Sequence, residues 1–262
     1  MYAAFARSAF QTQFAYRTQV WAALFGALMI VVAKVAIWTA VYSGNPSTGG
    51  ITLADMITYS LLAGSVSGAW PYHGLLNTIE RSVRSGDVAV YLLKPLSYPF
   101  HLLASEWGIL LFRLATIVLP TTAVAAAIYG ILPPASLFDG AMFIVFWLIA
   151  FAILFLMATA CGLMAFWLLT AFSFDWLLGG ILIIFSGTFI PLWLFPQPFA
   201  GIIGALPFAF VGYYPTAVYL GKLTTAETWS ALALGLVWAV VLAGAVAWLW
   251  SRAERRVVVQ GG

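Results

Sequence analysis

The sequence predicts an all-α membrane protein that crosses the bilayer several times. Of its 262 residues, 64% are hydrophobic and only 7% are charged, whereas soluble domains average about 25% charged residues. The apolar residues form long runs, and at about 20 residues per helical crossing these runs fit six spans joined by short segments. We therefore predict one transmembrane domain over residues 1–262, without a separate soluble catalytic domain.

The first predicted element is an amphipathic helix at the N-terminus. Aromatic and alanine residues recur at helical spacing between residues 2 and 14, and polar residues such as Arg7 and Gln11 occupy the other side. This pattern is typical of helices in the membrane interface, so we predict an interfacial helix over residues 1–18. A cleaved signal peptide is the alternative, but the apolar core begins only after Arg17 and no small-residue cleavage site precedes the first loop.

The apolar runs and the turn signals between them predict six spans. On the second span Ser60, Gly64 and Gly68 form a small-residue stripe that allows close helix packing, either within the chain or between subunits. On the third span Pro120 removes a backbone hydrogen bond and predicts a kink. The predicted spans are Val20–Val41, Thr52–Leu76, Leu103–Tyr129, Ala141–Leu169, Trp176–Phe195 and Trp229–Trp250.

The segment between the fifth and sixth spans, residues 196–222, is apolar but contains four prolines. Neither half of it is long enough to cross a hydrocarbon core of about 30 Å. Non-helical backbone at membrane depth persists only against protein or a water-filled cavity. We therefore predict re-entrant or interfacial half-helices in this external segment.

The distribution of basic residues predicts that both termini are cytoplasmic. Under this topology the cytoplasmic segments hold eight basic residues and the external segments hold one, and such an excess marks the cytoplasmic side. We thus expect a multi-pass protein of the cell membrane, plasma or inner, whose tail at residues 251–262 is cytoplasmic. The eight are Arg7, Arg17, Arg81, Arg84, Lys94, Arg252, Arg255 and Arg256, and the external one is Lys222.

The longest charged interruption is the predicted cytoplasmic loop at residues 77–102. Its pattern predicts a short helix over residues 78–84 that stops at Gly86, and a second helix capped by Asp87 that ends at Leu93 before Pro95. Two helices in one loop indicate a docking element, although an ordinary solvated loop is the alternative. The candidate contact residues are Glu80, Arg81, Arg84, Asp87 and Lys94.

Four charged residues, Lys34, Asp55, Glu106 and Arg113, lie in or near the predicted spans. Lys34 can extend its ammonium toward the outer interface or meet Asp55 at the start of the next span. Glu106 and Arg113 are too far apart along their helix for a direct pair, so Arg113 needs another acidic or carbonyl partner. Structural pairs are one interpretation of this set, and a transport path is the other, since intramembrane charges that face a cavity serve function.

The sequence lacks the motifs that are typical of several enzyme activities. It contains no phosphate-binding G-x-x-x-x-G-K-[ST] loop, no H-E-x-x-H and no G-x-S-x-G, and its single cysteine is Cys161. The basic residues are scattered rather than gathered on one face, which argues against nucleic acid as a partner. We therefore expect no ATPase activity, no metal and no cofactor on this chain.

Three stretches resemble the permease subunits of ATP-binding-cassette (ABC) exporters with type-2 membrane domains. The most specific is RSGDVAVYLLKPLSYPFHLLASEWG (Arg84–Gly108), and SGTFIPLWLFPQPFAGIIGALPF (Ser186–Phe208) and YYPTAVYLGK (Tyr213–Lys222) match the same family. Lys94 departs from the family, which more often has arginine there. The resemblance covers essentially the whole chain.

The resemblance implies ATP-driven export by alternating access. It implies two separate ATPase subunits that carry ATP and Mg²⁺, a second permease that is a copy or a paralogue, and a coupling helix between spans two and three. An ion-coupled secondary transporter that uses Lys34, Asp55, Glu106 and Arg113 as a charge relay is the main alternative. An intramembrane enzyme or a membrane scaffold is the other alternative.

Overall fold

The computed structural model describes residues 2–44, 47–48, 50–92 and 97–260, and these are mostly helical. One short hairpin, β1 Ser47–Thr48 with β2 Ile51–Thr52, follows the first long helix. A π-helical turn, Leu114–Val118, joins α7 to α8, and single 3₁₀ turns occupy Gln13–Tyr16, Leu192–Leu194 and Pro207–Phe210. The α-helices are α1 Tyr2–Thr12, α2 Arg17–Val41, α3 Leu53–Ala63, α4 Ser65–Ala69, α5 His73–Ser85, α6 Asp87–Leu92, α7 Tyr98–Arg113, α8 Leu119–Tyr129, α9 Leu137–Leu163, α10 Ala165–Leu168, α11 Phe172–Phe185, α12 Phe199–Ala205, α13 Tyr213–Tyr219 and α14 Thr225–Gln260.

Four helical stretches in the described part of the chain are long and apolar enough to cross a membrane. They correspond to the predicted first, third, fourth and sixth spans, which confirms an all-α protein with several apolar helices. The predicted fifth span contains a helix of only 14 residues, α11, so the total of six spans stays a prediction. The four stretches are Thr18–Val41, Tyr98–Tyr129, Leu137–Leu168 and Thr225–Arg256.

The predicted second span is not one continuous helix. It is divided into α3, α4 and the first turns of α5, with breaks at Gly64 and at Trp70–Tyr72. Pro71 explains the second break, because a proline disfavours helical backbone at the residue before it, and Trp70 is extended, with φ −139° and ψ 98°. At the other end, α3 begins with a capping box formed by Thr52 and Asp55.

A π-helical turn lies close to Pro120, where the sequence predicts a kink, and the kink itself stays a prediction. The turn spans Leu114–Val118 and ends directly before α8, where Pro120 occupies the first turn. The chain remains helical from Tyr98 to Tyr129. The extra residue in the turn relieves the clash of the proline ring with the preceding backbone without ending the helix.

The core is built around α9, which packs against α5, α13 and α14. Helix α9 carries Phe146, Phe151 and Leu154 into the main hydrophobic cluster. It approaches α5 closely at Gly162, where a Cβ atom would lie 2.6 Å from Ile79 Cδ1. Helices α5 and α9 are therefore held in fixed contact.

Helix α1 packs lengthwise against α7, a contact that the sequence pattern did not predict. Phe10 and Phe14 make edge-to-face contacts with Phe112, with ring centroids 5.5 and 5.0 Å apart. The backbones meet at Gly108, where an added Cβ would lie 2.0 Å from the carbonyl oxygen of Ala6. No residue of α1 is buried, and its placement in the membrane interface stays a prediction.

The predicted half-helix segment, residues 196–222, contains two helices of seven residues each, α12 and α13, with a 3₁₀ turn between them. It lies at the same end of the fold as the hairpin. There Lys222 Nζ contacts a carboxylate oxygen of Asp55 at 3.1 Å, and the Tyr219 hydroxyl donates to the Leu132 carbonyl at 3.0 Å. We call this part of the molecule the hairpin end.

Candidate functional site

Helices α5 and α6 form the element predicted between spans two and three. Helix α5 ends at Gly86, whose left-handed backbone, φ 79°, terminates the helix as expected. Asp87 begins α6, and the Ser85 hydroxyl donates to its carboxylate at 2.6 Å. The prediction of two helices is confirmed, except that the first begins at His73 and is longer than residues 78–84. The predicted end of the second helix at Leu93, before Pro95, lies outside the described residues.

Helix α5 is joined to α11 and to α7. His73 Nδ1 lies 2.5 Å from a carboxylate oxygen of Asp175 on α11. The Glu80 carboxylate accepts a hydrogen bond of 2.8 Å from the Ala171 backbone N–H, directly before α11. Ser82 and the Tyr98 hydroxyl are hydrogen-bonded at 2.7 Å, which joins α5 to the start of α7.

The solvent-facing side of the α5–α6 element carries two exposed arginines. The Arg84 side chain is 63% exposed and pairs with Glu80 at 3.3 Å, and Arg81 is also exposed, its Nε donating to the Asn77 carbonyl at 3.3 Å. A groove of about 750 Å³ between the two helices is lined by both arginines and by Asp87. Lys94, the fifth candidate, lies outside the described residues.

A cavity of about 270 Å³, lined mainly by apolar surface with several polar groups, lies among α2, α3–α4 and the α7–α8 junction. The buried Lys34 ammonium lines it, donates to the Thr188 carbonyl at 3.0 Å and lies 4.8 Å from the centroid of the Phe189 ring. Ser60, Gly64 and Gly68, the predicted small-residue stripe, line the same cavity. The stripe thus faces this cavity, and its role in packing, within the chain or between subunits, stays a prediction.

Comparison with protein-family models gave one family, described as ABC-2 family transporter protein, which matches residues 28–261. The chain belongs to the ABC-2 transporter family. It is a membrane subunit, or permease, of an ABC transporter, and the family implies an ABC ATPase as partner. No curated protein and no solved structure matched the chain.

The four charged residues in or near the predicted spans of this ABC-2 subunit have separate partners. Of the two arrangements that the sequence allows for Lys34, the pair with Asp55 is not formed, because the capping box holds Asp55 at the start of α3, where Thr52 donates to its carboxylate from backbone and side chain at 2.8 Å and Lys222 supplies the cation. Arg113 finds a carbonyl partner as expected, that of Gly68, at 3.4 Å. Among the described residues, no ion pair or hydrogen bond joins two of the four.

Glu106 has a buried partner that the sequence did not reveal. Trp70 Nε1 donates to its carboxylate at 2.6 Å, and Trp70 is 0% exposed. The break before Pro71 turns Trp70 toward α7, so the proline is the signal that could have located this pair. Thr188, which follows Gly187 with φ 76°, was missed because its role lies in its backbone carbonyl.

Trp70→Phe is expected to destabilise the protein, because it removes the only hydrogen-bond donor recorded for Glu106 in the described structure. A buried polar group without its partner costs about 1–3 kcal/mol, whereas removing both partners can be nearly neutral. Thermal unfolding in detergent should give a lower Tm for Trp70→Phe and a recovery of much of that loss in Trp70→Phe/Glu106→Met. Equal Tm values for Trp70→Phe and the natural protein would contradict the importance of this bond.

Proposed function

We propose that this permease is the membrane-spanning subunit of an ATP-driven exporter, and that the α5–α6 element couples it to separate ATPase subunits. The observation that carries the proposal is a solvent-facing pair of helices with two exposed arginines, anchored to α11 and α7. Arg81 and Arg84 are exposed on it, while Glu80, also a predicted contact, is engaged inward with Ala171. An exposed charge on a rigid support suits contact with another subunit.

The anchoring suggests how movement of the ATPase would reach the membrane. Nucleotide-driven closure would push on α5, and the bonds of His73 and Glu80 would transfer the displacement to α11. The contact of Ser82 with Tyr98, which stacks on Trp250 of α14 at 5.0 Å, would carry it to α7 and α14. Alternating access then follows as a rocking of these helices as one body.

The proposal includes a topology for this chain and the other subunits of the transporter. The chain would have six spans with both termini in the cytoplasm of the cell membrane, and residues 196–222 would lie outside or re-enter the bilayer. A second permease, identical or paralogous, and two ATPase subunits that bind ATP and Mg²⁺ would complete the transporter. The groove of the α5–α6 element, with Arg81 and Arg84, would then face the cytoplasm, where the ATPase subunits reside.

Affinity purification of the chain from its native membrane in mild detergent, followed by mass spectrometry, tests this proposal. We expect a stoichiometric second protein with a phosphate-binding loop, and a second permease if the transporter is a heterodimer. A parallel purification with an unrelated multi-pass protein controls for abundant contaminants. A chain that purifies alone and transports without ATP would contradict the proposal.

A further inference from the structure

The cavity beside Lys34 has the features of a binding site at membrane depth. Lys34 is 9% exposed, and its position in α2, seven residues before the end of that helix, places it inside the apolar stretch Thr18–Val41. Hydroxyl groups of Ser60, Ser67, Thr121 and Thr122 line the cavity together with apolar side chains. A charged group in such surroundings is costly unless it is paired.

The Lys34 ammonium has no anionic partner in the described structure. The three ion pairs recorded there involve His73, Arg84 and Lys222. All eight acidic residues of the sequence lie in the described ranges. The ammonium is thus partnered only by the Thr188 carbonyl and the Phe189 ring, which leaves its charge uncompensated.

Two further buried side chains, one that lines the cavity and one that contacts its wall, have a polar atom without a hydrogen bond in the described structure. The buried Thr121 hydroxyl, which lines the cavity, has no hydrogen-bond partner in the described structure. Arg113 Nε is likewise buried without a hydrogen bond, and its guanidinium reaches only the carbonyl of Gly68, a residue at the cavity wall, at 3.4 Å. Buried polar groups in native proteins are nearly always hydrogen-bonded. We therefore expect the Thr121 hydroxyl and Arg113 Nε to donate to an acceptor that the described part of the chain does not supply.

We propose that the cavity binds the anionic head group of an amphiphilic molecule, a carboxylate or a phosphate on an apolar chain, with Lys34 as its counter-charge. The volume of about 270 Å³ lies just below the usual range for drug-sized ligands, about 300–1,000 Å³, so it accommodates a head group and the start of a chain. The rest of the ligand's apolar chain would extend between α2 and the neighbouring helices into the bilayer. The bound molecule is either exported cargo or a resident lipid. The first interpretation rests on the proposed exporter function.

Binding to the purified full-length chain in phosphatidylcholine nanodiscs tests the cavity directly. The probes are tritiated palmitate and hexadecyl phosphate, with hexadecanol as the neutral probe of the same chain length. We expect saturable binding of both anionic probes, at least about tenfold tighter than that of hexadecanol, because charge-assisted hydrogen bonds are the stronger ones. Equal affinity for neutral and anionic probes overturns the proposal without any variant.

Three substitutions of Lys34 separate charge from hydrogen-bond donation. Lys34→Arg keeps the charge and should keep binding, whereas Lys34→Gln keeps a donor for Thr188 without the charge and should lose about tenfold or more, as should Lys34→Met. If Lys34 only anchored Thr188, Lys34→Gln would bind like the natural protein, which would overturn the proposal. Lys222→Gln, which removes a cation at the hairpin end, is the matched control and should leave binding unchanged.

Thr121→Val provides a second test that keeps the shape of the side chain. A loss of about twofold to fivefold for the anionic probes, with no change for hexadecanol, is expected for the removal of one neutral hydrogen bond. Unchanged binding of the anionic probes to both Thr121→Val and Lys34→Gln would place the anion elsewhere.

The source of the natural occupant is settled with the complex that contains the ATPase partner. If the anionic amphiphile is cargo, the two probes should stimulate ATP hydrolysis, and Lys34→Gln should abolish this stimulation. Binding without stimulation would identify a resident lipid and would still support the head-group site. A complex without any ATP hydrolysis would count against the proposed exporter and would leave the nanodisc result unaffected.

Discussion

Reversal of both Arg81 and Arg84 to glutamate is expected to abolish stable association with the ATPase subunit and with it ATP-dependent transport. Two attractive contacts would become repulsive, and a total cost of about 3 kcal/mol corresponds to roughly a hundredfold weaker binding. The fold should tolerate the change, because Arg84 is 63% exposed and exposed substitutions usually alter stability by less than about 0.5 kcal/mol. Pull-down of the ATPase and transport by membrane vesicles measure the effect.

The control for this double variant is the reversal of Arg255 and Arg256 to glutamate. These residues are exposed on the C-terminal part of α14, and their reversal changes the net charge by the same amount. ATPase association should persist in this control. Unchanged co-purification and transport in the Arg81→Glu/Arg84→Glu variant would remove the α5–α6 element from the coupling interface.

Gly108→Ala is expected to detach α1 from α7. A Cβ at residue 108 would lie 2.0 Å from the Ala6 carbonyl oxygen and 3.0 Å from the Phe10 backbone nitrogen. Because both atoms belong to the backbone of α1, no rotamer change relieves the clash and the helix has to move. Overpacking of this kind costs about 1–3 kcal/mol. We expect a lower Tm and faster hydrogen exchange in the Tyr2–Thr12 amides.

Gly26→Ala is the matched control, since a Cβ at Gly26 within α2 has no atom within 4 Å. In that helix the substitution should be neutral or stabilise the protein by up to about 1 kcal/mol through helix propensity. A Gly108→Ala variant with the Tm of the natural protein and unchanged exchange in α1 would contradict the packing of α1 on α7.

The sequence predicted those structural features that depend on residues close together in the chain. Gly86 is followed by a new helix as expected, because only a residue that tolerates positive φ ends α5 in this way. The apolar run at residues 141–169 predicted α9, whose buried residues form part of the core. The proline at residue 120 marked the irregular stretch of α7–α8 within a few residues.

Contacts between residues that are far apart in the sequence could not be predicted in the same way. Lys34 and Asp55 lie on consecutive predicted spans, yet each bonds to a segment more than a hundred residues further along the chain, Thr188 and Lys222 respectively. The break at Pro71 was overlooked because the apolar run continues through it. The contact of α1 with α7 depends on the absence of a side chain at Gly108, which hydrophobic periodicity does not register.

Site-specific photocrosslinking tests the central claim most directly. A photoreactive benzoylphenylalanine would replace Arg84 on α5 in one variant and Trp229, an exposed residue near the start of α14, in another. After irradiation in native membranes, we predict that the variant at residue 84 crosslinks to a protein with a phosphate-binding loop and that the variant at residue 229 does not. No such adduct at residue 84, or an equal adduct at both residues, would contradict ATPase coupling through α5–α6.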